Sequence, residues 1–110
     1  MTKASPNTDS GTLRLKPHGD LIASTVEGER SRLMQALEGS TAPVVLDLGG
    51  VREIDSLGIT LILGTFKTCQ KAGRNFAVEG VSAEIHRVFK LFSLPKLFPI
   101  AEAGTHGQPG

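Results

Sequence analysis

The chain has 110 residues and a net charge of +1, a length that suits one domain and leaves no room for two. At near neutrality, with no Lys/Arg cluster in any short window, it sets up no long-range field for nucleic acid or anionic lipid. Five Phe and no Trp or Tyr leave few faces on which bases or sugars could stack.

In chain order, residues 1–11 hold almost no apolar side chain and cannot offset the entropy of ordering, which predicts a disordered N-terminal segment. Thr12–Lys16 alternates apolar and polar, the pattern of a half-buried strand, and Pro17 ends it. Residues 18–21 read as a turn. Ser24, with Glu27 three residues on, has capping-box spacing. Val26, Leu33, Met34 and Leu37 then form an apolar stripe, so a helix is predicted over 25–38, with Gly39 as its left-handed C′ residue. Pro43–Leu48 is short, apolar and β-branched, which predicts a buried central strand, and Gly49-Gly50 breaks it.

A second helix is predicted over 57–72. Ile59 and Leu63 make its first turns apolar nearly all round, which marks that end for burial or for an interface. Residues 75–79 predict a strand. Ser82 opens a third helix with Ile85, Val88, Phe89 and Phe92 as its stripe, and Val81 is placed to staple against Ile85. Leu94-Pro95 ends that helix, residues 97–100 predict a last short strand, and residues 103–110 a disordered tail. This alternation over residues 12–102 argues for one α/β domain: a four- or five-stranded mixed sheet with the helices mainly on one face.

The stretch that carries chemistry is Ile54-Asp55-Ser56-Leu57-Gly58, where a strand delivers an Asp-Ser pair to the first turn of a helix. Free N–H groups and a partial positive charge at a helix start tolerate an anion. A phosphate on Ser56 would add about −1.5 to −2 charges there, compatible with the fold but not with a partner that must desolvate it. The plainer reading of the same pair is a helix N-cap, worth roughly 1 kcal/mol.

Other candidates read as structural. Cys69 is a lone cysteine deep in a helix, which excludes an intramolecular disulfide, fits a reducing, cytoplasmic setting and predicts a buried thiol. His18, His86 and His106 lie in separate segments without metal-ligand spacing, with His86 on the exposed side of its helix, so no metal or other cofactor is expected. Asp47 reads as a strand-end acceptor or as lining the Ser56 site. Residues 67–74 and 79–84 read as solvated charged faces, and Ser82 as a cap. Gly49-Gly50 lacks the phosphate-loop spacing, and no Gly-x-Ser-x-Gly surrounds Ser56, so neither nucleotide hydrolysis nor Ser-hydrolase chemistry is supported and the chain is not expected to be an enzyme. The longest apolar stretch, residues 59–64, is far too short to span a bilayer, so no membrane insertion is expected.

From Val44 to Ile100 the sequence resembles the STAS family, the domain of anti-sigma-factor antagonists and of sulfate-transporter tails. The matching features are the Val-Val-Leu-Asp-Leu strand, Ile54-Asp55-Ser56-Leu57-Gly58, Ile62-Leu63-Gly64, Lys71-Ala72-Gly73-Arg74-Asn75 and Phe92-Ser93-Leu94-Pro95-Lys96-Leu97-Phe98-Pro99-Ile100. The resemblance implies that Ser56 is the phosphoacceptor of a kinase-type anti-sigma factor, an ATP-binding serine kinase, and that a metal-dependent serine phosphatase reverses the modification. It implies a docking surface of Leu57, Gly58, Ile59 and Thr60, with Gly19, Asp20 and Ile22 from the neighbouring loop and Asp55 orienting Ser56 or contributing to the acceptor site. Three positions depart from the family: Leu57 replaces a second hydroxyl residue, Ile22 stands where many antagonists have an acid, and the segment before Leu13 is too polar for the usual extra N-terminal strand. The alternative is a constitutive STAS scaffold subunit of a transport ATPase complex, in which Ser56 only caps its helix.

Overall fold

A computed structural model describes residues 8–9 and 11–103. Its elements are β1 (Thr8–Asp9), β2 (Thr12–Leu15), α1 (Val26–Glu38), β3 (Val44–Asp47), α2 (Ser56–Lys71), β4 (Phe76–Val81), α3 (Ala83–Leu91), a 3₁₀ turn (Leu94–Lys96) and β5 (Ile100–Glu102). The strands lie in the order β1-β2-β3-β4-β5, with β2 to β5 parallel and β1 antiparallel to β2. Within the segment read as disordered, Thr8 thus pairs with Leu13 and Asp9 with Thr12. Gly11, at φ +82°, supplies the positive φ that this tight reversal requires. The remainder of residues 1–11, and residues 104–110 of the tail, lie outside the described residues.

Strand residues alternate between two environments. Leu13, Leu15, Val44, Leu46, Phe76 and Val78 are buried, whereas Arg14, Val45, Asp47, Ala77 and Glu79 are only half covered. The helices therefore cover one face, and the predicted buried strand β3 is central but buried on one side only. On the open face Arg14 reaches Glu79 at 2.9 Å and Asp47 at 3.7 Å, tying β2, β3 and β4 together by charge. The covered face holds the core, including Leu21, Ile62, Cys69, Phe89 and Leu94. Phe66, Phe76 and Phe98 pack ring to ring at one end, with centroids 5.0–6.0 Å apart.

Several element ends differ from the sequence reading. Helix α1 starts at Val26 behind Thr25, and Ser24 is exposed; Glu27 pairs with Arg30 rather than completing a capping box. Gly39 sits at φ −84°, so the helix closes without a left-handed residue. The last strand begins only at Ile100, because Ser93 at φ +60° turns the chain into a 3₁₀ turn with Pro95 in it. Phe92, predicted on the buried stripe of α3, becomes the helix C-cap and is half exposed.

Arg74, read as part of a solvated charged face, is half buried and structural. Its Nε donates to the Ala42 carbonyl at 2.7 Å and its Nη1 to the Leu37 carbonyl at 3.0 Å, fastening the end of α1 and the approach to β3. Truncation to alanine leaves both carbonyls without these charge-assisted bonds. Arg74→Ala is expected to lower stability by about 2 kcal/mol, measured by urea denaturation.

Candidate functional site

The site is assembled where two loops meet beyond the carboxyl ends of β2 and β3. Leu48 and Val51 are buried on either side of Gly49-Gly50 and bring the chain back towards the β2–α1 loop. There Leu21 and Ile54 form a single parallel bridge: Leu21 N–H donates to Glu53 O at 3.0 Å, and Asp55 N–H donates to Leu21 O at 3.1 Å. That bridge fixes where α2 begins, beyond the carboxyl end of β3.

Asp55 is the N-cap of α2, and Ser56 is its first helical residue. One Asp55 oxygen, Oδ1, accepts from the N–H groups of Leu57 (2.9 Å) and Gly58 (3.1 Å). The other, Oδ2, accepts from Ala23 N–H at 2.9 Å, in the opposite loop. Both oxygens are thus committed to the backbone, and the expectation that Asp55 orients the Ser56 hydroxyl gives way to a structural role. The same geometry corrects the plain-cap reading of Ser56: the capping is done by its neighbour. Ser56 is exposed, and its hydroxyl has no hydrogen-bond partner among the described residues.

Asp20 makes the reciprocal tie. Its Oδ1 accepts from the N–H groups of Arg52 (2.8 Å) and Glu53 (3.1 Å), while its carbonyl accepts from Thr25 Oγ1 at 2.6 Å. Thr25 Oγ1 also accepts from Ile22 N–H at 3.1 Å. Buried Glu29 accepts from His18 N–H at 3.1 Å and pairs with Arg32, holding the start of the same loop. Thr25, Ala23 and Glu29 were not singled out from the sequence; their partners lie in other segments, and only the spacing of Thr25 just before the α1 stripe offered a signal.

The N–H groups of Arg52 and Glu53 hold the Asp20 carboxyl below its ordinary range, against a smaller opposing effect of burial. For Asp55, burial pulls upward, but the N–H groups of Gly58, Ala23, Leu57 and Asp55 itself outweigh it and leave the value lowered. Folded values below the unfolded one, about 3.9, mean that both ties stabilise fully at neutral pH and are lost as pH falls through the lowered values. In urea titrations, the wild-type midpoint is expected to fall more steeply between about pH 5 and pH 2 than that of Asp20→Asn/Asp55→Asn.

The predicted docking residues separate into two groups. Ser56, Leu57 and Thr60 are exposed, with Leu57 47% accessible, and Gly19, Asp20 and Ile22 are half covered beside them. Gly58 and Ile59 are buried against the Leu21–Ile54 bridge and the core, so neither can line an outer surface. Thr60 Oγ1 donates to Ser56 O at 2.9 Å.

The remaining candidates stand apart from this site. Asp47 accepts from Gly49 N–H at 2.8 Å, as a strand-end acceptor. Ser82 caps α3 by accepting from Ile85 N–H at 3.1 Å. Cys69 is fully buried, and burial pushes its thiol up. His86, expected on an exposed side, is half buried and pairs with Glu102 of β5; His106 lies outside the described residues. Among the described residues no group of three His, Cys, Asp or Glu could hold a metal ion, and no helix is long and apolar enough to cross a membrane.

A largely parallel sheet with its helices on one face, and a loop pair tied together around a helix start, define the architecture as a small single α/β domain. The chain belongs to the STAS domain family, whose model matches residues 3–103. It is 30% identical to the anti-sigma F factor antagonist of Paenibacillus polymyxa, over 82% of this chain and 78% of that one. It is 29% identical to the intermembrane phospholipid transport system binding protein MlaB of Escherichia coli, over 70% of this chain and 84% of that one. Among solved structures, a putative anti-sigma factor antagonist from Thermotoga maritima superposes with a TM-score of 0.79 at 20% identity, covering 90% of this chain and 86% of that one.

Proposed function

We propose that this protein is an anti-sigma-factor antagonist controlled by reversible phosphorylation of Ser56. The observation that carries the reading is the division of labour at the start of α2. Asp55 takes the capping role, which leaves an exposed hydroxyl on Ser56 beside a half-exposed Leu57 and the Gly19–Ile22 loop. In its hydroxyl form that surface docks a kinase-type anti-sigma factor, with Leu57 as the apolar anchor. A phosphate on exposed Ser56 stands in solvent at the positive end of the α2 dipole, which the fold tolerates, and puts a charge into the interface, which the complex does not. A metal-dependent serine phosphatase restores the hydroxyl. The surface binds rather than catalyses, and both loops that form it are held by backbone hydrogen bonds.

The direct test is intact-mass analysis of the protein purified from its native cell, with fragmentation to locate the modification. One phosphate on Ser56 in part of the population is the expected result. The second reading is a constitutive scaffold subunit of a transport ATPase complex, supported by the likeness to MlaB and by Leu57 in place of a second hydroxyl. It predicts an unmodified protein under every growth and stress condition and stable co-purification with an ATPase.

A further inference from the structure

The pole of the domain opposite Ser56 carries an exposed apolar cluster. Helix α3 runs back from the carboxyl end of β4 to the amino end of the sheet, where Leu91 is 81% accessible, Phe92 50% and Leu97 47%. Side chains of this size and exposure, within seven residues, are more than the scattered surface leucines of an ordinary domain. Leu97 also borders an open hollow of about 610 Å³ walled by Phe66, Phe76 and Pro99, which continues the apolar surface inward.

The charged side chains that flank this cluster in sequence are of one sign. Residues 85–101 contain Arg87, Lys90 and Lys96 and no Asp or Glu, and all three bases are exposed. Arg87 lies one helical turn before Leu91, on the same side of α3. Lys67 and Lys71 are exposed towards the end of α2, which reaches the same pole, whereas Arg74 is engaged by the Leu37 and Ala42 carbonyls and exposed Glu38 stands beside it. The net charge of +1 therefore does not describe the stretch from residue 85 to residue 101, whose Arg and Lys side chains have no acid among them.

We infer that Leu91, Phe92 and Leu97 dock on an anionic lipid surface, with Lys90, Lys96 and Arg87 facing the headgroups. Apolar anchors flanked by cations are complementary to a negatively charged bilayer interface, which attracts each Lys or Arg brought near it. A second copy of the chain is a poor occupant, because a two-fold contact would bring the same cations face to face. Three side chains also fall well short of the roughly 800 Å² per partner that a stable protein interface buries. The docking is peripheral and leaves Ser56 facing away from the lipid.

The chain lacks Trp, so Leu91→Trp provides a single emission probe. Mixed with phosphatidylcholine vesicles containing phosphatidylglycerol, this full-length variant is expected to shift its emission to the blue and to float with the vesicles. With pure phosphatidylcholine it does neither, and Leu57→Trp on the far pole shows no shift with either. Lys90→Glu/Lys96→Glu and Leu91→Ser each reduce the bound fraction about tenfold in the otherwise wild-type chain, with thermal melting unchanged, and added salt weakens binding similarly. Failure to float with anionic vesicles overturns the inference, as does binding that survives Lys90→Glu/Lys96→Glu. So does a Leu91→Ser variant that loses an acidic protein partner while the wild type never binds vesicles.

Discussion

Gly58→Ala is expected to lower stability by about 3 kcal/mol, and the melting midpoint by more than about 10 °C in a domain of this size. A Cβ at this position would fall inside the Leu21 carbonyl oxygen, 2.6 Å from Ile54 Cγ1 and 2.9 Å from Leu21 Cβ. All three obstacles belong to Leu21 and Ile54, the residues of the bridge that joins the loops, and one is a backbone oxygen, so no rotamer change relieves the clash. The helix start must withdraw, and withdrawing it strains the Asp55 cap and its tie to Ala23. Helix propensity alone favours alanine over glycine by about 1 kcal/mol, so a stabilised variant would show that α2 does not approach Leu21 this closely. Thermal and urea unfolding of the purified variant measure the effect.

The second large effect falls on binding rather than on folding. Ser56→Asp is expected to weaken the complex with the anti-sigma factor at least about a hundredfold, while Ser56→Ala stays within about threefold of wild type. The aspartate carries its charge on an exposed position, where it leaves the fold intact, but the docked partner must bury it without a counter-charge. A penalty of about 3 kcal/mol for that desolvation already exceeds a hundredfold in affinity. Titration calorimetry with the partner recovered from the native cell gives both constants, and equal binding by the two variants would sink the phosphoswitch. Melting curves of both variants are expected to match the wild type closely, since the cap belongs to Asp55.

The sequence carried the periodic features well. Alternation in β2, the stripe of α1 and the apolar run of β3 needed only local spacing, and the Asp-Ser pair marked the right helix start. Which of the two residues caps was not legible, because both are good N-caps and the choice is made by Ala23, 32 residues away. The burial of Glu29 and the fastening role of Arg74 failed for the same reason: polar side chains are read as solvated unless their distant partners are known. The late start of β5 turned on one residue, Ser93, in a left-handed conformation that serine seldom adopts. The resemblance placed Gly58 and Ile59 on the docking surface with Leu57 and Thr60, whereas a helix turns consecutive residues through about 100° and here hides these two.

The crossed carboxylate ties have a consequence for how such a signal behaves over time. Asp20 grips the segment that leads to α2, and Asp55 grips the loop that follows β2, so each loop is clamped by the other's acid. A surface tied in this way is already ordered before a partner arrives, and under the proposed function a phosphate on Ser56 would leave both ties in place, since neither involves the Ser56 side chain. The modification is then written as charge alone. On the proposed function, hydrolysis of the phosphate would then return the surface to what it was, with no lag, no hysteresis and no memory of the previous state.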